Sequence, residues 1–175
     1  MNINAVKTHE VSLHKAGVTD IPAIAQFAYS IWNEYYVSII SQEQIDYMLN
    51  KMYSSEALEK QMNEGQNFFL IRLNHTPTGF VSVSEISPKE FMLHKFYVLG
   101  SERSKGLGSQ VLGILVKHLN HPEKIILTVN RQNFKSINFY FKNGFTIEKV
   151  EDFDIGSGYY MNDFIMIWKN TINLS

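Results

Sequence analysis

Seven strand-sized stretches interleaved with five helical ones predict a mixed α/β (α+β) fold for this 175-residue chain. Three observations carry the prediction. The N-terminal third has apolar residues at helical spacing, the middle reads as a three-strand meander, and the second half runs β-α-β-α-β-β. With 45% apolar and 13% aromatic residues the chain can bury a core without a disulfide or structural metal, and residues 1–175 are read as a single domain.

Residues 11–15 form one short strand. Asp20 then precedes Ile21-Pro22, and Ile21, Ile24, Ala25, Ala28, Ile31 and Trp32 recur at helical spacing, with proline in the first turn where its missing N–H is tolerated. Ser41 with Gln44 makes a capping box ahead of the stripe Ile45, Met48, Leu49 and Met52, and a further helix runs from Ser54 or Ser55 to Gly65. Strands follow at 68–73, 80–86 and 91–98, separated by turns at 74–77 and 87–89. After Gly106 the period returns to 3.6 through Leu107, Val111, Leu112, Leu115 and Leu119, until Asn120-His121-Pro122 breaks it. Residues 124–129 read as a buried strand, 136–143 as a helix closed by Gly144, and 145–153 and 160–168 as the last two strands.

Composition excludes several functions. Sixteen basic against seventeen acidic residues leave a net charge of -1, without the basic excess that phosphate-backbone binding uses, so no nucleic acid partner is expected. The absence of cysteine rules out thiolate metal sites and any sulfur nucleophile on the protein. His118 and His121 stand three apart, but they sit at a helix end without further ligands, and no metal is expected. Residues 1–9 lack an apolar signal core and no stretch reaches the ~20 apolar residues of a membrane span, so a cytoplasmic protein without a membrane partner is the expectation.

The sharpest chemical signal is Val98-Leu99-Gly100-Ser101-Glu102-Arg103-Ser104-Lys105-Gly106-Leu107-Gly108, a strand end, a polar loop and a helix start. Helix N-terminal N–H groups are unsatisfied and partly positive, and glycines let anion oxygens approach the backbone. The spacing matches neither the nucleoside-triphosphate loop nor the dinucleotide fingerprint, which would need a glycine at Val111. By itself the loop equally suits a tight strand-to-helix turn. A second segment follows a buried strand, with Asn133, Ser136, Phe139, Tyr140, Gly144 and Phe145 in the pattern N-x-x-[AS]-x-x-[FL]-Y-x-x-x-G-F.

Together the two segments resemble the GCN5-related N-acetyltransferase superfamily, whose coenzyme loop reads V-x-P-x-x-[RQ]-x-x-G-x-[GA]. The one departure is Gly100, where that pattern has proline. Within the superfamily, Gly158-Tyr159-Tyr160-Met161 with Phe164-Ile165-Met166 is similar to PaiA-like bacterial spermidine/spermine acetyltransferases. The resemblance implies a mostly antiparallel, twisted sheet of about seven strands with helices on both faces, splayed between the fourth and fifth strands. It also implies acetyl-CoA as co-substrate. Arg103, Ser104, Lys105, Gly106, Leu107, Gly108 and Ser109 would wrap its diphosphate, and the backbone of Phe96, Tyr97 and Val98 would pair with the pantetheine arm as a neighbouring strand does. Asn133 and Ser136 would hold the arm or the adenylate side, and Lys142 a phosphate.

The implied reaction is direct acetyl transfer to a primary amine, through a ternary complex whose oxyanion a backbone N–H of the fourth strand holds. An alkylammonium with a pKa near 10 is only ~0.1% neutral at pH 7, so a base is needed. His94, two residues before Phe96, has the right side chain for that role or simply packs on the sheet, and Glu85 on the adjacent strand is the substitute base. Tyr140 matches the tyrosine that in relatives faces the coenzyme sulfur; its alternative is to fill the helix-sheet interface beside Phe139 and Phe141. Glu34, Glu43, Asp46, Glu151, Asp152 and Asp154 are the carboxylates available to attract a cationic, polyamine-like small-molecule acceptor. A protein N-terminus or lysine as acceptor, and a coenzyme-binding sensor without turnover, are the competing readings. An edge strand near the C-terminus can support a homodimer.

Overall fold

The computed structural model describes residues 9–102 and 106–170. Along the chain stand β1 (Val11–Lys15), α1 (Ile21–Tyr35), α2 (Gln42–Tyr53), α3 (Ser55–Asn63), β2 (Asn67–Leu73), β3 (Thr76–Ser87), β4 (Glu90–Val98), α4 (Leu107–His118), β5 (Lys124–Asn130), α5 (Phe134–Lys142), β6 (Thr146–Gly156) and β7 (Tyr159–Lys169). A short 3₁₀ turn, Tyr36–Ser38, links α1 towards α2, and another, Gly100–Glu102, follows β4. The mixed α/β class and the seven strands agree with the sequence reading.

Local chemistry explains the element ends. Ser41 accepts a hydrogen bond from the Gln44 N–H at 3.2 Å and Ser54 one from the Ala57 N–H at 3.2 Å, which caps α2 and α3. Asn133 accepts from the Ser136 N–H at 3.1 Å, so α5 starts at Phe134, two residues ahead of the expected boundary. The second meander strand also begins early, at Thr76 instead of residue 80. Asn74 and His75 both adopt positive φ, 48° and 69°, and complete a two-residue hairpin turn from which the strand resumes at once. Pro77 is accommodated where the β2–β3 register shifts.

The seven strands form one sheet in the order β1-β2-β3-β4-β5-β7-β6, antiparallel throughout except between β4 and β5. Because strand side chains alternate, the apolar run at 68–71 feeds two cores. Phe68 and Leu70 pack with Ile24, Trp32, Ile45 and Leu58 of α1, α2 and α3, whereas Phe69 and Ile71 pack with Val111, Leu115 and Ile137 of α4 and α5. Helices thus cover both faces, as expected.

Two irregularities open the middle of the sheet. β4 and β5 pair over only three positions, Glu90 with Lys124, Phe91 with Ile125 and Met92 with Ile126, after which β5 continues alongside β7 alone up to Asn130 opposite Asp163. Within β4, Lys95 faces Ser82 while Leu93 faces Val83, so His94 is the extra residue of a β-bulge. The bulge reverses the strand's parity: Leu93 belongs to the α4–α5 core, and Lys95 lies over the Tyr53 and Phe68 rings on the opposite face. A slot results between residues 93–98 of β4 and 127–130 of β5.

Candidate active site

The slot widens into a cavity of about 370 Å³ that runs from the N-terminus of α4 to the rings of α1 and α2. At its outer end Gly106 holds φ +80°, and a Cβ built there meets nothing within 4 Å. Gly108 is constrained differently, since its Cβ would lie 2.8 Å from the Phe139 ring, which itself stacks on Phe96 at 5.7 Å. One glycine therefore permits a left-handed turn and the other a close approach of α4 to α5. The first intrahelical bond of α4 is donated by Gln110 to Gly106 O, so the helix N–H groups ahead of it have no intrahelical partner. Ser109, Ser136 and Tyr140 line the same cavity. Arg103, Ser104 and Lys105 lie outside the described residues.

A Cβ at Gly100 would meet the carboxylate of the exposed Glu34 side chain of α1, which lies across it and is free to swing aside. Glu34 consequently belongs to the loop end of the site, not to the acceptor end. The other acidic candidates are engaged elsewhere: Asp46 accepts from Gln42, Asp152 pairs with Arg131, Glu151 with Lys149, and Asp154 accepts from the Gly156 N–H. Neither these nor Glu43 line the cavity. Glu85 is also outside it, with its carboxylate accepting from the Lys89 N–H at 3.1 Å to close the β3–β4 turn, which corrects its expected role as substitute base. Lys142 sits at the exposed C-terminal end of α5, roughly 13.5 Å along the helix from Asn133, and is not among the residues that line the cavity.

The inner end is aromatic. Trp32 stacks on Tyr36 at 4.3 Å, and Tyr53 and Tyr97 complete the wall with their hydroxyls 3.4 Å apart. Burial pushes the phenols of Tyr36, Tyr53 and Tyr97 well up, so they serve as neutral hydrogen-bonding groups. Asn133 is almost fully enclosed, and its Oδ1 accepts from Tyr35 at 2.9 Å as well as from Ser136. It braces α1 on α5.

His94, Lys95, Tyr97, Lys135, Tyr140, Tyr160 and Asp163 are the titratable side chains that line the cavity from the strands and α5. Tyr140 is buried, and burial pushes its phenol well up. The His94 Nε2 shares a hydrogen bond with Ser84 Oγ at 2.8 Å, and burial, assisted by the Lys95 charge, pushes the imidazole down to about 4. The sequence reading assumed an ordinary imidazole near 6.5, so His94 is a weaker proton acceptor than expected. Lys95 is brought down to about 8 by burial, and its ammonium donates to Gln61 Oε1 at 2.6 Å. Asp163 of β7, only 5% exposed, is the single carboxylate among the described residues that line the cavity. Burial pushes it up to about 6 against the opposing pull of a Thr128 hydrogen bond and the Arg131 charge. Sequence reasoning passed over Asp163. A signal existed, since it is the only charged residue between Tyr159 and Trp168.

No helix among the described residues is long and apolar enough to cross a membrane, and among them no cluster of three or more metal-ligating side chains occurs. The Acetyltransferase (GNAT) family model matches residues 25–145. A curated spermidine N(1)-acetyltransferase of Thermoplasma acidophilum is 29% identical over 164 residues, which span 89% of this chain and 95% of that protein. The crystal structure of a PaiA N-acetyltransferase of Thermoplasma acidophilum, in complex with coenzyme A, superposes with a TM-score of 0.75 at 28% identity, covering 92% of this chain and 99% of that one. A GCN5-related N-acetyltransferase structure of Rhodopseudomonas palustris shares the fold, with a TM-score of 0.74 at 14% identity over 97% of this chain and 100% of that one. With its split sheet, its α4 loop and a family match over most of its length, the chain belongs to the GNAT acetyltransferase family and is an acyl-CoA-dependent N-acetyltransferase.

Proposed function

We propose that the protein transfers the acetyl group of acetyl-CoA to a primary amine of a small, polyamine-like molecule. The observation that carries this reading is the closure of the slot at its inner end. The β6–β7 hairpin is tied down on α2, where Tyr47 donates to Ile155 O at 2.6 Å and Gln44 Nε2 to Tyr160 O at 3.1 Å. The whole cavity, coenzyme end included, is about 370 Å³, a size suited to a small acceptor rather than to an open peptide groove. The spermidine acetyltransferase relative supports the same class.

The residues present suit the co-substrate. Gly106 leaves room beside the helix N-terminus for a diphosphate, which Gly108, Ser109 and the loop residues Arg103, Ser104 and Lys105 then surround. Beyond Met92 the β5 side of β4 has no strand partner, so the backbone around Phe96, Tyr97 and Val98 takes an amide-bearing arm by strand addition. Ser136 and Asn133 flank that arm. Bound coenzyme supplies an activated thioester. Tyr140, kept protonated by burial, donates a hydrogen bond to charge that develops on the departing sulfur.

Release of free thiol from acetyl-CoA, measured with polyamines, monoamines, amino acids and peptides, tests the proposal. Turnover with small amines above that with peptides is expected. Peptide turnover without small-amine turnover would move the protein to the protein-acetylating class. Coenzyme binding by calorimetry without any turnover would make it a sensor.

A further inference from the structure

We propose that Asp163 is the catalytic residue on the acceptor side: its carboxylate pairs with the incoming ammonium and takes the proton that must leave before nitrogen attacks. This assignment rests on the amine-acetylation reading above. It places the proton acceptor on β7, beyond the slot from β4.

Three features of the site point to Asp163. First, buried charges in proteins are paired, yet among the described residues no basic nitrogen forms an ion pair with Asp163. Arg131, whose charge reaches it, is already bonded to Asp152. Second, the carboxylate lines the cavity and stands opposite Asn130, at the end of β5 where the slot opens. Third, Trp32 and Tyr36, stacked on each other at 4.3 Å, line the same cavity and give it an aromatic wall of the kind that holds an alkylammonium by cation–π contact. A cation brought by the acceptor supplies the ion-pair partner that Asp163 lacks among the described residues.

The groups around Asp163 are Thr128 and Asn130 on β5, Arg131 just after it, Glu151 and Asp152 on β6, and Tyr36 between α1 and α2. His94 and Lys95 line the cavity from β4. Burial raises the Asp163 carboxyl to about 6 and lowers the His94 imidazole, so Asp163 holds a proton more tightly than His94 while remaining mostly ionised at pH 7. The ammonium gives its first proton to the Asp163 carboxylate. The nitrogen then bonds the acetyl carbon, the carbon–sulfur bond breaks with its electron pair on sulfur, and the second nitrogen proton ends on that sulfur. Asp163 returns its proton to solvent.

The test compares wild type, Asp163→Asn, Asp163→Glu and His94→Gln with the best amine found above, recording kcat/KM from pH 5 to 9, the coenzyme Kd and Tm. Wild type should lose kcat/KM as pH falls through about 6. Asp163→Asn should lower kcat/KM about 10²–10³-fold at pH 7.5 and abolish that acid limb, with the coenzyme Kd within about twofold and an undiminished Tm. Asp163→Glu, which keeps the charge, should retain the limb and exceed Asp163→Asn in activity. His94→Gln should retain the limb. Asp163→Asn within about threefold of wild type, the limb persisting in Asp163→Asn, or its loss in His94→Gln alone would overturn the assignment. A wild-type protein inert towards every amine would instead overturn the acetyl-transfer reading, and this assignment with it.

Discussion

Replacing Asp163 by asparagine is expected to stabilise the fold at neutral pH. The Asp163 carboxyl stands at about 6 in the native protein against an ordinary 3.8, because β5, β6 and the cavity wall remove water from it. At 1.36 kcal/mol per pKa unit, ionised Asp163 destabilises the native state by about 3 kcal/mol above pH 6. Between 3.8 and about 6 the native protein binds more protons than the unfolded chain, so stability falls as pH rises across that window. The amide is neutral and close in shape, and its oxygen retains the bond from Thr128. A chain of this length shifts its midpoint by roughly 2–4 °C per kcal/mol, so a Tm rise of about 6–12 °C is expected at pH 8. Calorimetric scans of both proteins at pH 8 and pH 4.5 check this, and the gap should shrink at the lower pH. A lower Tm for the variant at pH 8, or a gap that ignores pH, would show that the carboxylate is compensated in the free protein. Higher stability with lower activity is the signature of a charge retained for function.

Tyr140→Phe should lower kcat by about 10²-fold while the coenzyme Kd, read by calorimetry, stays within about threefold; full activity would remove the phenol from the mechanism. Gly106→Asp should abolish coenzyme binding, since it places a side chain at φ +80° and a negative charge beside the helix N-terminus, and undiminished binding would refute the loop assignment. In Gly108→Ala the added methyl meets Phe139 at 2.8 Å, an overpacking cost of about 1–3 kcal/mol against about 1 kcal/mol gained in helix propensity. A net loss of roughly 1 kcal/mol in denaturant unfolding, recovered by Phe139→Leu, is expected, and an unchanged midpoint would contradict the close α4–α5 approach. The His94 ring should titrate near 4 by NMR, so it contributes no inflection between pH 5 and 8; titration near 6.5 would show that the bulge leaves it fully hydrated.

Most elements were legible because their signals are local. Ser41 and Ser54 cap their helices through bonds to residues three positions on, and Gly106 marks the start of α4 through its own φ. The boundaries that moved did so for equally local reasons that the pattern hid: two positive-φ residues shorten the β2–β3 turn, and Asn133 starts α5 early. The site was legible only in part. Tyr140, Gly106, Gly108 and Ser136 do line the cavity, but Glu85 and the six acidic candidates do not, and Asp163 was missed. Nothing in a carboxylate's sequence neighbours tells whether it will close a turn, as Glu85 does, or be buried against a slot.

By itself the amino-acid sequence determined the element order, the glycine-bearing turn ahead of α4 and the family to which the chain belongs, since all three depend on short local patterns. Only the tertiary structure decided which side chains meet across the cavity. That choice follows from the bulge at His94, the three-residue pairing of β4 with β5 and the register of β5 on β7, which bring together positions as far apart as Tyr36 and Asp163. Such pairings arise when sheet and helices compete to bury the same apolar faces, and burial then resets the proton affinity of whatever acid or base is caught between them.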